Sequence, residues 1–293
     1  MRRAAVLFAV LGALGACRAA GDRPVRIGSK NFTEQVILGE IAAGALERAG
    51  VPVERRLDLG GSFVCHRALL AGELDLYPEY TGTAFTAILK EKPIADPARV
   101  RARVAAAYAT RWGLAWTAPL GFENTFALVL RGDDARRLAI TKISDLVRHP
   151  ELKPGFGYEF VERADGFPGL AAAYGLAFTA RPAEMDLGLL YPALAQGKVD
   201  VVAGNSTDGL IAAMGLAVLE DDRRYFPPYE AAFVVRGPVW HNARVRGALE
   251  ALSGTITPDA MRKMNAAVDR DGKGPAAVAG EFLAGLHLAG PAR

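Results

Sequence analysis

The chain has 293 residues, of which 51% are hydrophobic and 23% are charged, and its formal net charge is +3. This length and apolar content are enough to bury a large core in one or two domains. The 35 basic and 32 acidic residues are interspersed along the chain. Because no basic stripe is present, we expect no nucleic-acid partner.

The N-terminus has the layout of an export signal. Residues 1–3 are Met-Arg-Arg, and residues 4–16 form an apolar run that ends beside Cys17. This run is too short to span a bilayer, which takes about 20 residues. Small residues before a cysteine resemble the lipobox of bacterial lipoproteins, which predicts a signal peptide over 1–16, lipidation of Cys17 as a membrane anchor, and a tether over 17–24. The alternative is an ordinary secretory signal cleaved after Ala16, and both alternatives predict export.

Only two cysteines are present. With Cys17 lipidated, Cys65 has no partner, and we expect no internal disulfide. Cys65 and His66 are adjacent, but no second Cys/His pair lies at ligand spacing. We therefore expect no metal site and no cofactor.

The first part of the chain alternates between predicted strands and helices. A strand over 25–28 leads through a polar loop into a helix over 34–49, whose apolar residues recur at helical spacing. The next predicted elements are a strand over 51–57, a short helix opened by Gly60-Gly61-Ser62 and closed near Gly72, and a strand over 74–76 that Tyr77-Pro78 turns away. This alternation is typical of an α/β fold with a mainly parallel sheet.

A second α/β rhythm follows the alanine-rich helix predicted over 97–111. Strands are predicted over 114–117, 127–131, 199–203 and 231–236, and helices over 168–174, 189–196, 239–252, 258–268 and 275–288. The second unit is then inserted between the first unit and a late return of the chain. We expect two lobes joined by hinge-like crossings near 126–131 and 229–235.

Six stretches resemble one protein family, in that family's order. They are VRIGSKNFTEQVILGEI, GELDLYPEYTGTA, ENTFAL, FVERADGFPGL, NSTDGLI and FPPYEAAFVVR. On these stretches the chain is similar to the substrate-binding proteins of osmoprotectant ABC importers, which bind glycine betaine, choline, carnitine and related quaternary amines. The resemblance implies an α/β, two-lobed periplasmic-binding-protein fold of type II, each lobe a mainly parallel sheet flanked by helices. It implies lobe 1 over 25–126 and 232–290, lobe 2 over 127–231, and a permease and an ATPase as partners.

The chemistry of such ligands defines what the site needs. A quaternary ammonium cannot donate an N–H hydrogen bond, and the faces of aromatic rings hold it at about 0.5–2 kcal/mol per contact. The carboxylate of a betaine needs Arg or Lys, supported by hydroxyl groups. We therefore expect aromatic side chains from several loops and a basic pole at the cleft.

Three candidates come from the first half of the chain. Lys30 follows a strand end, where α/β sheets bind ligands; the resemblance implies contact with the ligand carboxylate, and a solvated surface lysine is the alternative. The resemblance also implies that Tyr80 is a cage wall and Thr83 a carboxylate donor. The alternative for YTGT is a turn in which Gly82 supplies an unusual backbone conformation. We interpret Glu79 as a solvated or hinge-side charge.

Two further candidates lie in the second half. The resemblance implies that Arg163 clamps the ligand carboxylate, and the alternative is a salt bridge to Glu162 or Asp165. It also implies that Tyr229 is a second cage wall, held rigid by the preceding prolines, which lowers the ordering cost of binding.

Two positions depart from the family pattern. Phe126 stands where the family often has tyrosine, which keeps the aromatic face and loses the hydroxyl. Asn205 stands where the family commonly has a cage tyrosine, and an amide cannot act as a wall but can hydrogen-bond. We therefore expect weaker binding of glycine betaine, or a more polar zwitterion such as ergothioneine as the ligand.

The sequence favours a binding protein over an enzyme. Ser62 follows two glycines, but the stretch is not a nucleophile elbow, and the four histidines are scattered. We expect an exported solute-binding protein, periplasmic or on the cell surface, that delivers its ligand to the permease. An osmolyte-sensing lipoprotein is the alternative of another class.

Overall fold

A computed structural model describes residues 23–286. The predicted signal peptide over 1–16, the lipidation site Cys17, nearly all of the predicted tether and the end of the last predicted helix lie outside these residues. Within residues 23–286, no helix combines the length and the apolar character that crossing a membrane requires.

Strands in the described part of the chain form two five-stranded sheets. They are β1 (Val25–Gly28), β2 (Val53–Arg56), β3 (Leu76–Tyr80), β4 (Leu114–Trp116), β5 (Phe126–Arg131), β6 (Pro154–Gly157), β7 (Ala183–Met185), β8 (Val201–Asn205), β9 (Leu216–Val218) and β10 (Ala231–Arg236). The first sheet has the order β2-β1-β3-β10-β4, and the second has the order β7-β6-β8-β5-β9.

The two sheets share one topology. In the first sheet β10 is antiparallel to both of its neighbours, while β1 is parallel to β2 and to β3. In the second sheet β5 takes the same reversed place, and β6 is parallel to β7 and to β8. Four strands of each sheet therefore run in one direction and one strand runs against them, which confirms the predicted α/β class.

Helices cover both faces of each sheet. They are α1 (Thr33–Arg48), α2 (Ser62–Leu70), α3 (Thr81–Thr83), α4 (Pro97–Trp112), α5 (Gly132–Leu138), α6 (Tyr158–Glu162), α7 (Phe167–Tyr174), α8 (Leu187–Ala195), α9 (Leu210–Ala213), α10 (Gly237–Trp240), α11 (Ala243–Glu250), α12 (Pro258–Asp269) and α13 (Pro275–Gly285), with a π-helix at Ala84–Ile88 and a 3₁₀-helix at Ile143–Arg148. Alternate residues of β10 show the layering, because Phe233 packs in one apolar cluster and Val234 in another on the opposite face. Leu128 and Val129 divide between two clusters of the second sheet in the same way.

The predicted turn at Tyr77-Pro78 is wrong, because both residues continue β3. A proline inside a central strand normally removes a ladder hydrogen bond. Here Pro78 lies opposite Phe233, whose backbone N and O bond with Thr117 on the far side of β10. The missing N–H of Pro78 therefore faces the side of β1, which pairs with β3 only at Leu76. No ladder bond is lost.

Two other predictions needed correction. The single helix predicted over 239–252 is two helices, because the Asn242 side chain accepts from Arg244 N and caps a new helix. The Pro-Gly-Phe-Gly strand β6 was missed, since glycine and proline ordinarily break strands.

Two chain segments, residues 117–125 and 219–230, run side by side between the two sheets. Asn124 N donates to Tyr229 O at 3.1 Å, and Ala231 N donates to Phe122 O at 3.1 Å. These bonds flank an antiparallel bridge between Glu123 and Glu230. The division into lobes at the residues given above stays a prediction.

Gly82 allows the segment over 219–230 to pack closely against α3. Its φ is not positive, so the alternative of a turn with an unusual backbone is wrong, and the residue lies in the helical stretch α3. A Cβ at this position would lie 2.5 Å from Tyr229 Cδ1 and 2.7 Å from Pro228 O. Glycine is therefore required by close approach and not by backbone conformation.

We expect Gly82→Ala to destabilise the fold by about 1–3 kcal/mol, because the new methyl group overpacks a backbone carbonyl that cannot move aside easily. Gly280→Ala is the control, since Gly280 is an exposed residue of helix α13 with open space around it, and alanine there stabilises by up to about 1 kcal/mol. Urea unfolding of both variants measures the difference. Equal stability of the two variants would contradict the packing role of Gly82.

Candidate functional site

The site lies where strand ends of the two sheets face each other. Lys30 follows β1, Tyr80 ends β3 and Asn205 ends β8. Phe126 begins β5 directly opposite Asn205 in the register of the second sheet. Because the carboxyl ends of parallel strands meet at one edge of a sheet, these positions converge on one cleft.

A cavity of about 170 Å³ occupies this cleft, roughly ten times the volume that one buried water needs. All seven residues predicted as ligand-binding line it: Lys30, Tyr80, Thr83, Phe126, Arg163, Asn205 and Tyr229. The lining residues that the sequence did not assign to the site include Asn31, Phe32, Gly61, Ser62, Asn124, Tyr158, Glu159 and Phe160. A small organic molecule fits this space.

The cavity has more aromatic walls than predicted. Phe32 stacks on Tyr80 with ring centroids 6.5 Å apart, and Phe160 meets Phe126 edge to face at 4.8 Å. Phe32 was missed although it shares the loop of Lys30 after β1, which was a usable signal. Tyr158 and Phe160 were missed because they follow β6, the strand that was not predicted.

Lys30 is buried and forms a salt bridge with Glu79, which is fully buried. Glu79 also accepts from Tyr80 N at 2.7 Å and from Tyr77 Oη at 3.2 Å. The interpretation of Glu79 as a solvated charge is therefore wrong, and so is the surface alternative for Lys30. Lys30 Nζ lies 4.9 Å from the centroid of the Tyr80 ring, so one protein cation already lies over this wall.

Arg163 forms the salt bridge to Asp165 that was its alternative reading, and it lines the cavity as well. Its Nε and Nη2 donate to the Asp165 carboxylate at 2.9 and 2.6 Å. Burial alone would raise the pKa of Asp165, but the hydrogen bonds and charge of Arg163 hold it below its usual value. The guanidinium carbon lies 5.1 Å from the Phe126 ring centroid. Arg163 Nη1 lies 3.7 Å from Glu159.

Asp165 also fixes residues from the other side of the cleft. Tyr229 Oη donates to it at 2.8 Å, and Thr86 Oγ1, in the π-helix, donates at 2.5 Å. Thr83 Oγ1 lies 3.4 Å from Arg163 Nη2. The Asp165 carboxylate therefore orients both Arg163, predicted to bind the ligand carboxylate, and Tyr229, predicted to be a wall of the aromatic cage.

Glu34, in α1, is a second buried hub and was not predicted. Its carboxylate accepts from Tyr80 Oη at 2.5 Å, Asn124 Nδ2 at 2.8 Å, Thr207 Oγ1 at 2.5 Å and Asn265 Nδ2 at 3.1 Å. Thr207 lies just beyond the end of β8 in the second sheet, whereas Tyr80 ends β3 in the first. Burial raises the pKa of Glu34, and the four donors oppose that rise. This hub joins a cage residue to contacts across the cleft.

Asp208 holds Asn205 in place. Its carboxylate accepts from Asn205 N at 2.8 Å, from Tyr191 Oη at 2.5 Å and from Asn205 Nδ2 at 3.4 Å. Burial raises the pKa of Asp208 to about 6. The amide that replaces a family tyrosine is therefore oriented by its own carboxylate.

Glu34, Glu79, Asp165 and Asp208 together are called the carboxylate layer below. Each member lies behind the cavity wall and hydrogen-bonds at least one residue that lines it. Phe126 is held differently, by the rings of Phe160 and Tyr229.

The adjacent Cys65 and His66 do not form a reactive pair. Burial raises the pKa of the Cys65 thiol to about 12 and lowers the pKa of His66 to about 4. His66 packs edge to face against Trp112 at 4.7 Å. Among residues 23–286 no group of three or more His, Cys, Asp and Glu side chains is arranged to hold a metal ion.

Comparisons with known proteins match one family and its fold. A family profile described as the substrate binding domain of ABC-type glycine betaine transport systems matches residues 23–285. A solved structure described as a glycine betaine/carnitine/choline ABC transporter is 32% identical, with a TM-score of 0.72 over 89% of this chain and 97% of that one.

Two curated relatives are named for different ligands. A carnitine transport binding protein of Listeria monocytogenes is 33% identical over 264 residues, which is 88% of this chain and 85% of the relative. An ergothioneine transport permease/ergothioneine binding protein of Helicobacter pylori is 35% identical over 270 residues, which is 91% of this chain. The chain spans only about half of the Helicobacter protein, 48% of its length.

The raised pKa of the Asp208 carboxyl predicts that the stability of the fold depends on pH. Its folded pKa of about 6 is above its ordinary value of 3.8, so the folded state binds this proton more tightly than the unfolded state. The contribution to stability is therefore complete below pH 3.8 and is lost as the pH rises to about 6. Asp208→Asn lacks this titration but keeps an acceptor for Asn205 N.

We therefore expect the free energy of unfolding of Asp208→Asn to rise relative to that of the wild type between pH 3.8 and about 6. Above about pH 6 the difference between the two should stay constant. Denaturant unfolding at intervals from pH 3.5 to 7.5 measures it. A difference that does not change with pH would contradict the raised pKa.

Proposed function

Because the chain belongs to the family of substrate-binding domains of ABC-type glycine betaine transport systems, we propose that its cavity captures a small quaternary ammonium compound and delivers it to an ABC permease. The chain is a transport substrate-binding protein and not an enzyme, and it acts outside the cytoplasm, as such proteins of ABC importers do. The observation that carries the ligand class is one cavity lined by aromatic residues from both sides of the cleft, with a buried arginine at its wall.

Aromatic rings supply the proposed cation pole. Tyr80, Phe126 and Tyr229 line the cavity, with Phe32 stacked on Tyr80. Lys30 and Arg163 already lie over Tyr80 and Phe126, so a ligand cation shares these rings with protein cations. The carboxylates paired with both side chains offset the resulting repulsion.

The proposed anion pole is Arg163 together with nearby hydroxyls. Two of its nitrogens are committed to Asp165, so Nη1 is the one that remains to bind a ligand carboxylate. Thr83 Oγ1 lies beside the same guanidinium. Lys30 is the weaker candidate for this role, because Glu79 already neutralises it.

Capture follows from contacts on both sides of the cleft. A ligand that touches residues of both sheets favours the closed arrangement over an open one. Exclusion of water then strengthens the cation–π and carboxylate contacts. We further propose that a lipid on Cys17 anchors the protein at the membrane and that the permease works with an ATPase.

A more polar zwitterion is the second candidate. Asn205 supports it, since its amide takes the position of an aromatic wall and is held by Asp208. The relative from Helicobacter pylori, which is named for ergothioneine, supports it as well.

We expect at least one of glycine betaine, choline, carnitine and ergothioneine to raise the melting temperature, because ligands that bind the native state stabilise it. A thermal-shift titration measures this. Phe126→Leu keeps bulk but removes a cage face, so the shift should shrink; Phe178→Leu, at a partly buried ring of the second-sheet core, is the control and should keep it. No shift with any of the four compounds would contradict the proposal.

We expect Asn205→Tyr to tighten glycine betaine binding by roughly 2–30-fold, the effect of one added cation–π wall. Asn205→Leu is the matched variant, which adds bulk without a negative ring face. Calorimetry on both variants distinguishes the two causes. An equal gain for leucine and tyrosine, or a loss for tyrosine, would rule out a missing aromatic wall.

A further inference from the structure

Glu159 extends from one side of the cleft to the other. It belongs to α6, which follows β6 of the second sheet, but its carboxylate lies at the start of α2, which packs on the first sheet. Phe63 N donates to Glu159 Oε1 at 3.4 Å. A Cβ on Gly61 would lie 2.1 Å from the same oxygen. The approach is possible only because Gly61 has no side chain.

The point that Glu159 reaches is suited to an anion. Helix α2 has 9 residues, and no side chain of its own caps its N-terminus, where backbone N–H groups carry partial positive charge. Ser62 is 1% exposed and lines the cavity, and its hydroxyl has no hydrogen-bond partner within residues 23–286. Arg163 Nη1 lies 3.7 Å from the other carboxylate oxygen of Glu159.

The charges around the cavity determine how Glu159 affects a bound ligand. Lys30 and Arg163 are each neutralised by a buried member of the carboxylate layer. Glu159 therefore adds negative charge to the cavity wall that neither cation balances in full. A cation without a carboxylate leaves Glu159 in place and gains from its charge. A betaine brings a second carboxylate to the same donors, and the two carboxylates repel each other.

We propose that Glu159 fills the anion subsite as a built-in carboxylate and biases the cavity toward quaternary amines that have no carboxylate of their own. This inference rests on the proposed function, since it concerns which amine the same cavity prefers. Glu159 is then a specificity-determining residue, and a zwitterionic ligand must displace it from α2 and Arg163 before its own carboxylate can bind.

Calorimetry with choline and glycine betaine on the full exported chain tests this. Glu159→Gln removes the charge, and we expect it to tighten glycine betaine by about tenfold or more, the equivalent of one charge-assisted hydrogen bond, while choline is unchanged or weaker. Glu162→Gln is the control, because Glu162 is an exposed residue of the same helix and should leave both dissociation constants unchanged. Glu159→Asp keeps the charge but shortens the reach, and we expect a smaller shift in the same direction.

The outcomes are distinguishable. If the wild type binds either amine and the ratio of the two dissociation constants is the same in Glu159→Gln, the inference is wrong and the proposed function stands. Weaker glycine betaine binding in Glu159→Gln also overturns the inference, because Glu159 would then only bridge the cleft or position Arg163. If no variant binds either amine, both the inference and the proposed function fail for these ligands. Should Glu159→Gln fail to fold, Glu159→Asp decides by the same criterion.

Discussion

The carboxylate layer is the constraint on which the rest of the site depends. A charge in a protein interior is tolerated only when it is paired and hydrogen-bonded. Glu34, Glu79 and Asp165 are almost fully buried, so each must collect donors, and the donors available are the side chains of the cleft. Satisfying the carboxylates therefore fixes Tyr80, Lys30, Arg163 and Tyr229 in place before any ligand arrives. Such preorganisation lowers the ordering cost of binding.

This arrangement changes how recognition works in the cavity. Lys30 and Arg163 are partly consumed by the layer, so the cavity is less basic than its sequence suggests. What remains for a ligand is a set of aromatic faces, the Nη1 atom of Arg163 and the hydroxyls of Thr83 and Ser62. The start of α2 is also available, although Glu159 already contacts it. The layer also joins the two sheets, because Glu34 holds Thr207 and Asp165 holds Tyr229 across the cleft. The hydrogen bonds that hold the cavity wall therefore also connect the two sheets.

Seven of the residues that line the cavity could be predicted from the sequence, whereas the buried carboxylates behind them could not. Lys30 follows a strand that periodicity identifies, and Tyr80 was found through its contiguous family motif, because the strand predicted there ended at Leu76. Glu34 reads as an ordinary first-turn acid of a helix, since its partners Asn124, Thr207 and Asn265 are distant in sequence. Glu79 was taken for a solvated charge because its partner, Lys30, belongs to a different strand end. Gly82 shows the same limit, since its neighbour Tyr229 enters from the far end of the chain. Local pattern predicts elements and some of the wall residues, whereas pairing across the sheets depends on the three-dimensional structure.

The central claim is that this cavity recognises positive charge on an alkylated nitrogen through aromatic faces. It is tested most directly by calorimetric comparison of choline with its neutral isostere 3,3-dimethylbutan-1-ol, which has the same shape and hydroxyl but a carbon in place of the cationic nitrogen. Several cation–π contacts of about 0.5–2 kcal/mol each predict at least a tenfold tighter dissociation constant for choline. Equal affinity for the two molecules, or tighter binding of the neutral alcohol, would contradict the account.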